Sequence, residues 1–148
     1  LAISEFGKGE EIKTSALKFY KGDILFGAVR PYFHKVVIAP FDGVTNQSVF
    51  VIFPREQKFY SFLITLLFSE LTINYATSIA SGTKMPVVKY EDLAKMTIVL
   101  PNFKTLEMFN ELVDKFYKVV IEKVEENQTL STLRDLLLPK LMSGEIRV

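Results

Sequence analysis

His34 is the chain's single histidine and cysteine is absent, and those two facts decide most of what these residues could do as catalysts. A histidine-rich or thiolate zinc site needs more imidazole or thiol than the chain contains. A nucleophilic triad would have to recruit His34 itself, which reads instead as a solvated or hydrogen-bonded surface residue. Asp23, Asp42 and Glu91 could hold a divalent cation only if folding drew them together, and nothing in their spacing does so. Glu91 and Asp92 are neighbours, and neighbours on a helix face apart. Gly7-Lys8-Gly9 has the flavour of a phosphate loop but lacks the Gly-Lys-Ser/Thr ending and a preceding strand. No catalytic residue, metal site or cofactor site is expected.

Binding chemistry is better represented. The segment from Lys8 to Lys35 holds six Lys or Arg residues and His34 against three acids, and within it Arg30, Tyr32, His34 and Lys35 crowd one short stretch. Asn46, Gln47 and Ser48 form a dense donor and acceptor cluster entering an apolar run. Ser81, Thr83 and Lys84 surround Gly82 in a polar loop that ends in a cation. Such side chains can bond phosphates or base edges, but turns use the same types for their own backbone, and both readings stay open. With eighteen basic and seventeen acidic residues the net charge is only +1, so an anionic partner would have to be met by local charge.

These loops need elements to carry them. Ile24-Leu25-Phe26, Val36-Val37-Ile38 and Val49-Phe50-Val51-Ile52-Phe53 are short β-branched and aromatic runs separated by Gly22-Asp23, Arg30-Pro31 and Pro40-Phe41-Asp42-Gly43, the pattern of strands joined by turns. Phe59, Phe62, Leu63, Leu66 and Leu67 share a helical face over Gln57 to Glu70, and a second short helix follows over Leu71 to Ile79. Gly82 and Pro86 break the pattern. A helical turn at Tyr90 to Ala94 leads into Thr97-Ile98-Val99-Leu100, which reads as a buried-type strand stopped by Pro101. The most apolar window, Phe59 to Ile73, is shorter than the roughly 20 residues that cross a bilayer, so a core helix is expected and no membrane partner.

From Phe103 to Leu138 neither Pro nor Gly interrupts the chain. Leu106, Val113 and Val120 recur every seven residues, as do Phe109 and Phe116, and further on Leu130 and Leu137. Such a seam predicts a helix roughly 50 Å long, too long to bury on a small head, that protrudes and pairs with another helix. Asn127 falls in the seam, either as a solvated residue where the stripe drifts or as a polar contact fixing register. Leu138-Pro139 should close the helix, with Gly144 beyond a last turn. The expected fold class is α+β: a small head with a mixed or antiparallel β-sheet and short helices, then a long coiled-coil-forming helix. Absence of cysteine fits a reducing, cytoplasmic setting. The chain, which does not begin with Met, reads as a fragment of something longer.

The closing string Leu133-Arg134-Asp135-Leu136-Leu137-Leu138-Pro139-Lys140-Leu141-Met142-Ser143-Gly144-Glu145-Ile146 is similar to the end of type I restriction-modification specificity subunits. Gly22-Asp23-Ile24-Leu25 with Arg30-Pro31-Tyr32 and Lys35, and Ser81-Gly82-Thr83 leading to Leu93, Ile98 and Leu100-Pro101, resemble the same family in the same order. Lys104-Thr105-Leu106-Glu107 departs from the Glu-Gln pair often found at the start of that family's spacer helix. The resemblance implies a target-recognition domain over residues 1–101 and a spacer helix with its tail over 102–148. It implies a non-catalytic role: binding double-stranded DNA at a bipartite site, with methyltransferase subunits as direct partners and the restriction subunit as an indirect one. S-adenosylmethionine and ATP would belong to those partners. Arg30, Tyr32, His34, Lys35, Asn46, Gln47, Ser48, Ser81, Thr83 and Lys84 become the candidate DNA-binding residues. Leu106, Phe109, Val113, Phe116, Val120, Asn127, Leu130 and Leu137 become the helix-pairing residues, facing a second spacer helix or another copy of the chain, so a dimer is expected. The competing reading is a scaffold module in which the heptad stripe is the whole function.

Overall fold

The computed structural model describes residues 15–146, so Gly7-Lys8-Gly9 lies outside the described residues. The fold is α+β. Strand β2 (Ile24–Gly27) is apolar on both faces because it is central, flanked antiparallel by β3 (Val36–Ile38) and β5 (Val49–Ile52). Side chains alternate across a strand, so Ile24, Phe26, Val36, Ile38, Phe50 and Ile52 share one face. That face packs on Ile64, Leu67, Ile73 and Ala76 of the helices and is the main core. The opposite face, with Leu25, Val37, Val49 and Val51, is covered by Phe19 and Phe41. Phe19 belongs to a two-stranded ribbon of β1 (Leu17–Phe19) and β4 (Gly43–Thr45) that the residue pattern does not announce. Every strand pair is antiparallel among the described residues, in two sheets.

After a 3-10 turn at Gln57–Phe59, α1 (Tyr60–Phe68) and α2 (Glu70–Ile79) follow the expected order. Ser69 separates them: its backbone is extended and its hydroxyl accepts from the Thr72 N–H at 3.3 Å, capping α2 and setting a 60° bend. Neither helix nor any other single helix among the described residues is long and apolar enough to cross a membrane. A one-turn α3 (Tyr90–Leu93) follows, close to the expected turn.

Two expectations fail here. Thr97-Ile98-Val99-Leu100 is not a strand: it is irregular and open to solvent, Val99 being 90% exposed. β-Propensity is realised only against a neighbouring strand. This segment instead runs past the helices, with Met96 beside Thr72 of α2, where no strand edge is offered among the described residues. The expected helix stop at Leu138-Pro139 does not occur either. Helix α4 runs Phe103–Met142, through Pro139, about 60 Å at roughly 1.5 Å per residue. Pro139 forfeits one backbone bond, which an exposed carbonyl can recover from water. The stop comes at Gly144, where positive φ lets the Gly144 N–H reach the Leu141 carbonyl and the Glu145 N–H the Lys140 carbonyl.

Helix α4 begins under an Asn102 cap, whose side chain accepts from the Thr105 N–H at 2.9 Å. Its first half does not protrude, which corrects the simple expectation of a free rod. Leu106 is 2% exposed, and Tyr117 and Ile121 pack on the main core. Asp114 accepts from the Ser61 hydroxyl, the Tyr117 and Thr65 hydroxyls bond at 2.7 Å, and Asn110 donates to the Lys58 carbonyl at 2.8 Å. Tyr60 ties α1 to the first turn by donating to the Gly22 carbonyl at 2.7 Å. Burial pushes its phenol up to about 12, with Tyr117 and Asp23 adding to the shift. From Thr129 onward every described residue is exposed, and this end of α4 is free of the head.

Candidate nucleic-acid interface

The C-terminal end of β2 is where three separate polar segments meet. Gly27 donates to the Lys35 carbonyl at 2.8 Å, which brings in the stretch leading to β3. Ala28 donates to the Ser48 carbonyl at 2.8 Å, which brings in the segment entering β5. Val88 donates to the Ala28 carbonyl at 3.0 Å, and Val29 and Val87 form an isolated antiparallel bridge. That last pairing brings in the loop from Ser81, itself closed by reciprocal Ser81 and Val87 backbone bonds at 3.0 and 2.9 Å. A buried central strand thus acts as a spine, and its exhausted end collects 30–35, 46–48 and 81–87 in one place.

Each segment is shaped by its residue types. Pro31 is buried and starts a 3-10 turn, Pro31–Phe33. That turn is bracketed by Arg30 (φ 52°) and His34 (φ 51°), the two described non-glycine residues in the left-handed region. Arg30 donates its backbone N–H to the Pro86 carbonyl at 2.8 Å and its guanidinium to the Lys84 carbonyl at 3.4 Å, so it struts one loop against another. His34 Nε2 lies 3.4 Å from the Glu70 carboxylate, with the Phe68 ring against its imidazole. The Asn46 side-chain oxygen accepts from the Ser48 backbone and hydroxyl, a turn built by the cluster itself. Gln47 is exposed between them, as are Ser81, Thr83 and Lys84 in the next loop. Gly82 has φ +108°, and a Cβ there would meet the Met85 carbonyl oxygen at 3.1 Å, so that loop depends on glycine. Gly27 is needed for a different reason: a Cβ would fall 2.7 Å from the Lys35 Cβ.

This end of the molecule carries several cations. Lys21, Lys58, Lys95, Lys118, Lys123, Arg134 and Lys140 each pair with a carboxylate. Lys35 and Lys84 form no ion pair with a carboxylate among the described residues, as is true also of Lys18, Arg55, Lys104 and Lys115 elsewhere. Lys89, one residue past the Val88 bond, forms none either, but after the larger effect of Lys95 its charge helps hold the Asp92 carboxyl below its usual range. Unneutralised cations flanked by hydroxyls, amides and exposed aromatic rings suit a polyanion that carries bases. The residue pattern missed Lys89, because the bridge that brings it here links Val29 to a valine nearly sixty positions away. It also missed the ring of Phe33, which lies beside Tyr32 and under the Lys35 ammonium at 5.5 Å.

Among the described residues no three His, Asp or Glu groups gather closely enough to hold an ion. Asp23 accepts from the Tyr20 N–H and Asp42 from the Lys21 N–H, both at 2.7 Å, so these carboxylates fasten turns.

The candidate helix-pairing residues divide. Leu106 is covered by the chain's own head, and Phe109, Val113 and Val120 are half-buried. Phe116, Asn127, Leu130 and Leu137 are exposed. Tyr117 and Ile121, outside the expected seam, make the head contacts instead.

The chain is thus an α+β head that gathers polar and cationic loops at one end of its sheet and rests on a long helical arm. The chain belongs to the type I restriction modification DNA specificity domain family, whose model matches residues 4–132. It is 31% identical over 116 residues to the type I restriction enzyme MjaIX specificity subunit of Methanocaldococcus jannaschii, covering 77% of this chain and 26% of that one. It is 30% identical over 103 residues to the HindI specificity subunit of Haemophilus influenzae, covering 69% and 22%. Over 143 residues it is 28% identical to the EcoDI specificity subunit of Escherichia coli, covering 93% and 32%. The chain thus spans between about a fifth and a third of the length of these curated relatives.

Proposed function

We propose that this chain is one DNA-reading half of a type I specificity subunit. In this reading residues 1–101 form the target-recognition head and 102–148 the spacer arm, whose first half is seated on the head. The loop cluster at the end of β2 meets double-stranded DNA. Lys35, Lys84 and Lys89 hold phosphates, while Gln47, Thr83 and their neighbours face base edges. The observation that carries the reading is the convergence of three polar loops, distant in sequence, on one strand end where Lys35 and Lys84 form no ion pair with a carboxylate among the described residues. Arg30 is a strut for the cluster as much as a contact.

The arm sets distance. Paired with a second spacer helix, or with another copy of this chain, it holds two heads at a fixed separation, so that two short half-sites are read across an unread gap. Methyltransferase subunits are the direct partners and the restriction subunit an indirect one. The chemistry is theirs and the address is supplied here. Selection of duplexes from a random pool tests the first part: the chain should enrich one short sequence, and Lys84→Ala should weaken its binding. Enrichment of no sequence would leave the competing reading, a scaffold module, which the exposed apolar residues of α4 support.

A further inference from the structure

Resting on the duplex-binding reading above, we propose that Tyr32 and Phe33 act as a stacking wedge that enters a base step of the bound duplex. Adjacent aromatic side chains are ordinarily covered, because their area is the largest apolar gain available to a fold. Here both stand open, Tyr32 47% and Phe33 56% exposed, with ring centroids 4.8 Å apart. They occupy a turn held from every side. Phe33 N–H donates to the Arg30 carbonyl at 3.1 Å and His34 N–H to the Pro31 carbonyl at 3.0 Å. Pro31 is buried, Arg30 is pinned to the Pro86 carbonyl, and His34 is held between Glu70 and Phe68. Left-handed backbone at two non-glycine residues persists only where surroundings impose it, and such strain gathers at sites that must present a side chain in a set pose. The pose presented is a pair of rings.

What surrounds the rings favours a nucleic acid over a protein partner. Arg30, Lys35 and Lys84 carry positive charge nearby, the Glu70 carboxylate being turned to His34, and Lys35 sits over the Phe33 ring, where it can bind the phosphate beside an opened step. An inserted ring has to compensate the lost base stacking with its own, which a preordered turn does without first losing conformational freedom.

The chain contains no tryptophan, so Phe33→Trp installs a single indole at the wedge while keeping a stacking ring. Its emission should be quenched at least about twofold by a duplex enriched from a random pool, through base stacking. Heparin, a polyanion without bases, should leave it unchanged. Phe33→Ala and Tyr32→Ala should each lower affinity for that duplex by about 5- to 150-fold. Both residues are exposed, so thermal melting and far-ultraviolet dichroism should stay as in the parent. Full-affinity binding of Phe33→Trp without quenching, together with unaltered binding by Phe33→Ala, overturns the wedge and leaves the duplex reading standing. Enrichment of no duplex overturns both. An emission change produced only by a methyltransferase subunit makes the rings a protein contact and likewise refutes the wedge.

Discussion

Salt dependence offers the most direct measure of how many loop lysines meet phosphate. Each phosphate neutralised by a cation on B-form DNA adds about −0.9 to the slope of log affinity against log salt. Lys35, Lys84 and Lys89 form no ion pair among the described residues and belong to or adjoin the loop cluster, whereas Arg30 is engaged with the Lys84 carbonyl and is left out. Three contacts give a slope of about −2.7, so raising salt from about 50 to 200 mM weakens binding roughly 40-fold. Lys84→Ala should lower the slope to about −1.8 and the loss over the same range to roughly 12-fold. Lys123→Ala, on the arm and paired with Glu126, should leave the slope unchanged. Fluorescence anisotropy titrations of a labelled duplex at four salt concentrations measure all three. A parent slope near zero, or one lowered by Lys123→Ala and not by Lys84→Ala, refutes the assignment of phosphate contacts to these loops.

Leu106→Ala should destabilise the chain by about 2–5 kcal/mol, because it empties a buried site between arm and head; thermal or urea melting measures it. Leu130→Ala on the free end should change monomer stability by less than about 0.5 kcal/mol yet weaken self-association in light scattering. Gly27→Ala should push Lys35 out of register and reduce duplex affinity more than stability, since the added Cβ meets the Lys35 side chain; anisotropy alongside melting separates the two. Tyr60 titrates near 12 when folded and near 10 when unfolded, so its contribution is complete below pH 10 and lost as pH rises towards 12. Urea melts across that window should show stability falling, and Tyr60→Phe should flatten part of the fall.

How much of this was legible in the residues depends on whether the information was local. Strands β2, β3 and β5 announce themselves because both faces of the central strand are apolar and the runs are β-branched. The ribbon of β1 and β4 does not, since Gly43 reads as a turn residue and Lys18 as solvent, and only Phe19 betrays a buried side. Thr97-Ile98-Val99-Leu100 misleads for the converse reason: its composition suits a strand, but a strand needs an edge, and edges are a property of the whole fold. The loop cluster was readable as three polar stretches and unreadable as one surface. Bridges such as Val29 to Val87 decide that convergence, and valines carry no mark of it. Arg30 stood out as a cation, while its left-handed backbone and its role as a strut follow from Pro31 and Pro86 together.

The heptad seam of α4 conceals two stripes, and helical geometry separates them. At about 100° per residue, Leu106, Val113, Tyr117, Ile121 and Val124 fall within about 80° of one another. All five are buried or half-buried, and Tyr117 and Ile121 pack on the main core. Leu112, Phe116, Val119, Leu130, Leu137 and Leu141 form a second stripe centred about 140° away, with Phe116 nearest at about 100°, and all are exposed. Phe109, Val120 and Asn127 lie between, at the rim of both. A strict seven-residue repeat drifts about 20° per heptad against a straight helix, so one seam drawn from Leu106 begins on the head-facing stripe and slides towards the outer one. Two faces so far apart can be occupied together. In the pairing proposed above, the head would keep its grip through Leu106, Tyr117 and Ile121 while a partner helix lay along Phe116, Leu130 and Leu137, so pairing need displace nothing that orients the loops. Under that proposal a rod clamped on one side and paired on the other would transmit its length to the spacing of the heads without a flexible joint, which is the mechanical property a ruler requires.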